Sequence, residues 1–314
     1  MSRCRPRDPD DGERTRAIAT QIAVIGATGH VGYPLVEQLL AKGVRVRAIA
    51  RRPERLQPLA ARGAEPRAGS VLDPKFLAEA FRTADGVFAM IPPDTGHPDP
   101  RMRDRAVTDA IGAALQVARV RHAVTLSSIG ADLPDQNGPI AGLYLLEQKV
   151  NAVPGMNAVH LRAGYFHENF LNSIGLIKSA GINGGRIRPD VPMAMVATRD
   201  IAAAAAGLLV DPSFSGQRAR ELQGPRDYTM QEVTTILGAA VGRPDLKYVQ
   251  FSETDFVQAL QAAGFSPAAA ALFAEMSEAL NSGLIKPQPR TRETTTPTTL
   301  EEFAREVFAP AFQR

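Results

Sequence analysis

The first half of the chain alternates short apolar runs with longer amphipathic stretches, and this rhythm restricts the fold more than any other feature. The apolar runs have the length of buried strands, and the stretches between them carry apolar residues at helical spacing. Strands are predicted at 21–25, 44–50, 64–68, 86–91, 122–128 and 157–162, with helices from about 31 to a stop at Gly43 and at 54–62, 74–82, 102–118 and about 140–152. Strand–helix alternation at this spacing builds βαβ units. We therefore expect an α/β fold with a Rossmann-like, doubly wound parallel sheet.

The alternation stops near residue 163 and divides the chain into three parts. The following segment is rich in glycine, and later helices have their own start signals, such as the capping pattern at Thr229–Glu232 and a second at 298–301. We predict a disordered N-terminal extension (1–20), a Rossmann domain (21–163) and a smaller, mostly helical lobe on the substrate side, interleaved with the sheet (164–314). Such a lobe is expected over the carboxyl edge of the strands, where open α/β sheets bind ligands.

Composition excludes several classes of protein. The chain has 314 residues, of which 44% are hydrophobic and 22% charged, as in ordinary globular proteins. Its single cysteine, Cys4, excludes an intramolecular disulfide and argues against cysteine-based zinc sites. The longest apolar run, 201–210, is far shorter than the roughly 20 residues of a membrane span. Since the N-terminus also lacks an apolar leader, we expect a cytoplasmic protein without a membrane partner.

The charge and the loop residues favour neither nucleic acid nor a metal. The formal net charge is +3, but no basic cluster with interleaved aromatic residues occurs, and the chain has no tryptophan for base stacking. We therefore predict no direct contact with nucleic acid. Asp94, His97 and Asp99 could be imagined around a metal, but they lie among Pro and Gly residues that are typical of turns. We predict no metal site.

A glycine motif, Gly26-Ala-Thr-Gly29-His-Val-Gly32, follows the first strand directly and opens the first helix. In this context the first glycine permits a tight turn, the second lets the backbone approach a pyrophosphate, and the third lets helix and strand pack closely. The helix N-terminus offers unpaired N–H groups and the positive end of its dipole to phosphate. The motif therefore predicts a dinucleotide cofactor.

The end of the second strand indicates which dinucleotide binds. Sites that prefer NAD usually place an acidic residue there for the ribose 2′-hydroxyl, whereas this chain has Arg51 and Arg52 followed by Pro53. A guanidinium suits a 2′-phosphate because it can donate two parallel hydrogen bonds. The sequence therefore favours NADP(H) over NAD(H).

Seven segments together carry a family resemblance. They are 22–32, 50–53, 88–93, 125–130, 161–170, 198–201 and 299–303. They resemble the NmrA-like group of atypical short-chain dehydrogenase/reductases, which includes NADPH-dependent quinone and azo-dye reductases and redox-sensing regulators. The resemblance covers about 21–310, and its most specific piece is the Leu-Arg-x-Gly-Tyr-Phe-x-Glu-Asn pattern that begins at Leu161.

The resemblance implies a set of cofactor-binding residues. They are Gly26, Thr28, Gly29, His30, Val31 and Gly32 at the pyrophosphate, Arg51 and Arg52 at the 2′-phosphate, Ile91 and Pro92 at the ribose with Ser127 behind it, Lys149 near the ribose, and Gly164, Tyr165 and Phe166 at the nicotinamide. One departure is Gly69-Ser70, where the family often has Gly-Asp. This departure argues against an acidic adenine contact there, and we expect Asp73 to cap the next helix instead.

A second departure concerns catalysis. Ordinary short-chain dehydrogenases use Tyr-x-x-x-Lys, whose spacing puts both side chains on one helix face. Here Tyr144 and Lys149 are five residues apart, so they point in different directions. The catalytic residue therefore stays unassigned, with Lys149 and His167 as candidates. For His167, a structural role beside Glu168 or Asn169 is an equal alternative.

These observations favour an NADPH-dependent oxidoreductase that transfers a hydride to an electrophilic small molecule. A quinone or azo compound needs little acid help from the protein, which agrees with the missing Tyr–Lys dyad. The alternative is a non-enzymatic, NADP(H)-sensing regulatory protein of the NmrA type, for which the missing dyad fits equally well. An epimerase or lyase agrees less well with the altered spacing. The sequence leaves open whether the chain forms a homo-oligomer.

Overall fold

The structure is a computed structural model and describes residues 20–314, so the predicted N-terminal extension lies outside the described residues except for Thr20. The described residues form twelve strands: β1 Gln21–Ile25, β2 Arg45–Ala50, β3 Glu65–Ala68, β4 Gly86–Ala89, β5 His122–Ser128, β6 Asn157–Ala163, β7 Tyr165–Phe166, β8 Ile182–Gly185, β9 Met193–Val196, β10 Gln217–Leu222, β11 Asp227–Tyr228 and β12 Lys247–Gln250.

Twelve α-helices lie between and after these strands within residues 20–314. They are α1 Gly32–Ala41, α2 Gln57–Ala60, α3 Pro74–Phe81, α4 Pro100–Val117, α5 Ile140–Asn151, α6 Ile174–Ala180, α7 Thr198–Val210, α8 Met230–Ala240, α9 Glu253–Ala262, α10 Pro267–Asn281, α11 Leu300–Phe303 and α12 Ala309–Gln313. Short 3₁₀ helices occur at Pro53–Leu56 and His167–Ser173, and a π-helical turn at Ala304–Phe308. None of the helices in this part of the chain is long and apolar enough to cross a membrane.

Seven strands form one parallel sheet in the order β10-β6-β5-β4-β1-β2-β3. The order reverses between β1 and β4, and the carboxyl ends of the strands beside such a switch point form the ligand crevice of open α/β sheets. The predicted α/β fold with a doubly wound sheet is confirmed. The Gly motif follows β1 and therefore lies at this crevice.

Both faces of the sheet are buried at its centre, as is typical of a parallel sheet. The side chains of β1 alternate between two cores: Ile22 and Val24 pack with α1 and α7 on one face, and Ala23 and Ile25 pack with α3, α4 and α5 on the other. Every residue of β1 is buried, which explains why Ile22 to Ile25 form a continuous apolar run.

The seventh strand, β10, was not predicted. Its sequence, Gln-Arg-Ala-Arg-Glu-Leu, is polar because it forms the edge of the sheet and its first three residues are exposed. It pairs with β6 in parallel from Gln217 to Leu222. Residues 164–314 thus return to the central sheet through α7 and β10, and their remaining part forms the lobe.

The lobe contains strands as well as the expected helices. β7, β9 and β11 form one small sheet, and β8 and β12 form another. Because β6 ends at Ala163 and β7 begins at Tyr165, the lobe starts at the carboxyl edge of the central sheet. This connection brings the central sheet and the small β7-β9-β11 sheet together around one cavity.

Candidate cofactor and substrate site

The Gly motif forms a tight turn that only glycine accommodates at two of its positions. Gly26 has φ +72°, in the left-handed region, and its carbonyl accepts a hydrogen bond from the Gly29 amide (2.9 Å). A Cβ atom on Gly32 would overlap the backbone of Gly26 and Ala27, because α1 packs directly on this turn. A Cβ on Gly29 would approach only the Gly26 carbonyl, at 3.3 Å, so its outer side stays open.

The same turn exposes backbone donors. The amides of Thr28, His30 and Val31 find no acceptor among residues 20–314, and the N-terminus of α1 has no side-chain cap. Gly29 and His30 are exposed. Unpaired amides at the N-terminus of a helix form a ready anion site, so this cradle fits a pyrophosphate.

Arg51 and Arg52 follow β2 at the same edge of the sheet. Both are exposed, and neither guanidinium makes a hydrogen bond or ion pair with any residue that the structure describes. Arg47 on the same strand differs, since it is buried and its Nε donates to Glu65 at 2.9 Å. The two guanidinium groups at the strand end are therefore available for an anionic ligand.

A cavity of about 400 Å³ lies between the sheet edge and the lobe. It brings together five residues that the sequence predicted for the cofactor: Ile91, Ser127, Gly164, Tyr165 and Phe166. The remaining walls are largely apolar and come from the loop before α4, the start of α4, α5, β9, α10 and the segment after α10. Those apolar residues include Ile140, Leu143, Met193, Leu272, Phe273, Met276, Leu280 and Ile285.

Ser127 is held by a buried ion pair that the sequence analysis missed. Its hydroxyl donates to Glu147 Oε1 at 2.6 Å, and Arg162 donates to the same carboxylate from Nε (3.0 Å) and Nη2 (2.8 Å). The bond to Glu147 raises the pKa of the Arg162 guanidinium. This network joins β5, α5 and β6 beneath the cavity. The arginine of the Leu-Arg-x-Gly pattern was its one sequence signal, since a buried arginine needs a carboxylate.

A second polar group on the cavity wall was also missed. Arg103 of α4 is buried, and its Nη2 donates a hydrogen bond to the Pro92 carbonyl at 2.8 Å. Its guanidinium also lies 3.3 Å from the Asp104 carboxyl and 3.4 Å from the Asp94 carboxyl. Asp104 is 18% exposed, and burial raises the pKa of its carboxyl although Arg103 opposes the change. Pro92 thus contributes a carbonyl to this group and does not itself line the cavity.

The loop before α4 has the turn structure expected from its sequence. The Asp99 side chain caps α4 by accepting from the Met102 amide at 2.9 Å, and His97 Nδ1 accepts from the Asp99 amide at 3.1 Å. Across the described chain, no group of three or more His, Cys, Asp or Glu side chains could hold a metal ion.

Comparison with known proteins identifies the family. Residues 19–304 match the NmrA-like family. The chain belongs to the NmrA-like family. It is 32% identical to the (4-alkanoyl-5-oxo-2,5-dihydrofuran-3-yl)methyl phosphate reductase of Streptomyces griseus, over 83% of this chain and 88% of that protein. It is 31% identical to the NAD(P)H azoreductase of Xenophilus azovorans, over 77% and 81%.

A solved structure of an NADPH-dependent quinone oxidoreductase from Escherichia coli, in complex with NADPH, superimposes with a TM-score of 0.77. The two sequences are 25% identical, and the superposition covers 91% of this chain and 99% of that chain. The expected resemblance to the NmrA-like family is therefore confirmed over most of the chain.

The lysine expected near the ribose in this NmrA-like chain lies outside the cavity. Lys149 Nζ is 2.5 Å from Asp109 Oδ1, on the side of α5 that faces α4, and both side chains are about half exposed. Tyr144 does not line the cavity either. Lys149 is therefore not among the predicted cofactor residues that line the cavity.

His167 also points away from the cavity. Its side chain is completely buried against Tyr228 and Phe303, and neither ring nitrogen has a hydrogen-bond partner among the described residues. Burial lowers the pKa of His167 to about 4. The capping role belongs to Glu168, whose carboxylate accepts from the Thr198 amide at the start of α7 (3.0 and 3.1 Å). The position of His167 fits packing and not catalysis.

Proposed function

We propose that this NmrA-like protein is an NADPH-dependent oxidoreductase that transfers a hydride to an electrophilic, largely apolar small molecule such as a quinone or azo compound. The observation that carries the proposal is the apolar cavity beside Gly164, Tyr165 and Phe166, the residues expected at the nicotinamide. A hydride donor and its acceptor must touch, and this cavity provides the space for the acceptor. The azoreductase and quinone oxidoreductase among its relatives support the same activity.

The residues fit the cofactor. The unpaired amides of the Gly motif would hold the pyrophosphate, and the unpartnered Arg51 and Arg52 would hold the 2′-phosphate. Ile91, Pro92 and Ser127 would border the ribose, with Ser127 kept in place by Glu147. When bound, NADPH supplies the hydride, while the chain orients the acceptor and excludes water. Lys149, paired with Asp109, is left out of the proposed site.

The walls of the cavity favour an uncharged acceptor. Its buried cation, Arg103, is already paired with Asp94 and hydrogen-bonded to the Pro92 carbonyl. A phosphate or carboxylate on the substrate would therefore lack a free cation at that wall. Aromatic acceptors gain from burial against Leu272, Phe273 and Met276 instead.

The cavity also bears on the alternative of a regulator that only senses NADP(H). A sensor needs a cofactor site and a partner surface, but it needs no enclosed space beside the nicotinamide. The apolar cavity between α5, β9 and α10 therefore favours an enzyme.

An assay of NADPH oxidation against quinones, azo dyes and simple carbonyls tests the proposal. We expect turnover with quinones and azo dyes, little with simple carbonyls, and slower turnover when NADH replaces NADPH. NADPH binding is measured separately by fluorescence. If the protein binds NADPH normally but reduces none of these compounds, the reductase proposal is wrong and the sensor is favoured.

A further inference from the structure

Most proton-bearing side chains of the cavity are poor acids in their surroundings. The Ser127 hydroxyl donates to Glu147, and the Ser128 hydroxyl donates to the Ile129 carbonyl at 2.9 Å. Burial raises the pKa of Tyr165 to about 12. A general acid works best when its pKa lies near the working pH, so these groups are unsuited to protonate a product.

Asp104 differs from them in position and in its bonds. It lines the cavity near the start of α4, and within residues 20–314 its carboxylate has one hydrogen-bond partner, Arg103 Nη1 at 3.3 Å. A hydrogen bond of this length is weak. The second oxygen, Oδ2, makes no hydrogen bond in this part of the chain and lies against Gly142 of α5.

The neighbouring helix makes room for this carboxylate. A Cβ atom on Gly142 of α5 would lie 2.7 Å from Asp104 Oδ2, so a larger residue there would displace the acid. The carboxyl is held between α4 and α5 with only 18% of its side chain exposed. This partial burial favours its protonated form, in agreement with the raised pKa of Asp104.

We propose that Asp104 donates the proton that completes the reduction of a neutral acceptor in this cavity, a role that rests on the proposed reductase function. A quinone that accepts a hydride gains two electrons and one proton and becomes a hydroquinone monoanion, and NADPH is oxidised to NADP⁺. The Asp104 O–H bond then breaks, its proton moves to the anionic oxygen, and hydroquinone forms. The Asp104 carboxylate regains a proton from solvent.

Two acceptors with different proton requirements test this role. A neutral benzoquinone needs the proton, whereas a triarylmethane dye cation such as crystal violet becomes neutral on accepting a hydride and needs none. For Asp104→Asn we expect the kcat for the quinone to fall by about tenfold or more. The kcat for the dye and the Kd for NADPH should stay within about twofold, since the variant keeps the size of the side chain. Asp135→Asn, at an exposed position outside the cavity, serves as the control.

An unchanged quinone rate, or an equal loss with both acceptors, would overturn the role of Asp104. If the wild-type protein reduces neither acceptor although it binds NADPH, the proposed function fails instead. If it reduces the quinone but not the dye, the role of Asp104 is tested by chemical rescue of a variant that lacks the carboxyl group. Asp104→Ala leaves space beside Gly142 for a small acid, so added formate should restore quinone turnover, and failure to restore it would contradict the proposal.

Discussion

Arg51 and Arg52, at the end of β2, are the residues proposed to select between the two nicotinamide cofactors. No acidic residue occurs at this position, and both arginine side chains are exposed and unpartnered within the described residues. An exposed pair of guanidinium groups at the carboxyl edge of β2 stabilises a dianionic phosphate there far more than a hydroxyl.

Replacing both arginines should therefore separate the two nicotinamide cofactors. For the Arg51→Ala/Arg52→Ala double variant we expect the Kd for NADPH to rise by about 10- to 100-fold, since a hydrogen bond to a charged group contributes about 1.5–3 kcal/mol. The Kd for NADH should change little. Fluorescence titration with each cofactor measures both constants, with Arg292→Ala, an exposed arginine of the C-terminal lobe, as the control. An unchanged NADPH affinity would refute the assignment of the 2′-phosphate site.

At the level of single elements, the sequence predicted best where local signals act alone. The strand 21–25 and the helix starting at Pro74 agree with the structure, and Asp73 caps that helix by accepting from the Lys75 amide at 2.9 Å. The second capping box lies one residue later than the sequence pattern predicts, because it is formed by Thr299 and Glu302. Thr298 instead donates to Asp200 at the start of α7, a contact between distant residues that no local pattern encodes.

The contact between α1 and the Gly turn leads to a prediction about two glycines. Gly32→Ala should lower the free energy of unfolding by about 1–3 kcal/mol and weaken cofactor binding, because the new Cβ would overlap the Gly26 backbone. The matched control is Gly207→Ala in α7, where an added Cβ meets nothing within 4 Å. That change should raise the free energy of unfolding by about 0.5–1 kcal/mol, because alanine restricts the unfolded chain. Urea unfolding measures both, and a Gly32→Ala protein as stable as the wild type would contradict the close packing.

At the scale of the whole molecule, His167 should link stability to pH, because it is buried between β11 and α11 of the lobe. The ring packs against Tyr228 of β11 and Phe303 of α11. His160 is also buried, but its two ring nitrogens face Thr125 Oγ1 (2.8 Å) and Asn151 Oδ1 (2.9 Å). His167 has no such partners among the described residues, so its protonated form is strongly disfavoured in the folded state.

Acid should therefore destabilise the protein through His167. Its pKa is about 4 when folded and 6.5 in its ordinary state, so between these values the unfolded chain binds a proton that the folded chain does not. The stabilisation is complete above about pH 6.5 and is lost as the pH falls toward 4, by about 3 kcal/mol over the full shift. His167→Phe keeps an aromatic ring and removes the titration. Urea unfolding at several pH values should show a flatter dependence for the variant, and equal slopes would show that His167 stays paired or solvated.

The parallel α/β fold, the glycine turn after β1 and the basic end of β2 can all be predicted from the amino-acid sequence. Each depends on periodicity or on the backbone freedom of a few adjacent residues, as at Gly26 and Gly32. Which side chains share the cavity, in contrast, follows only from the packing of elements that are distant in the chain. Asp104 packs against Gly142, Glu147 forms an ion pair with Arg162, and Lys149 forms one with Asp109. The roles of these side chains therefore depend on how α4, α5 and β6 pack together. Burial and pairing arise between residues far apart in the chain, and no local pattern specifies them.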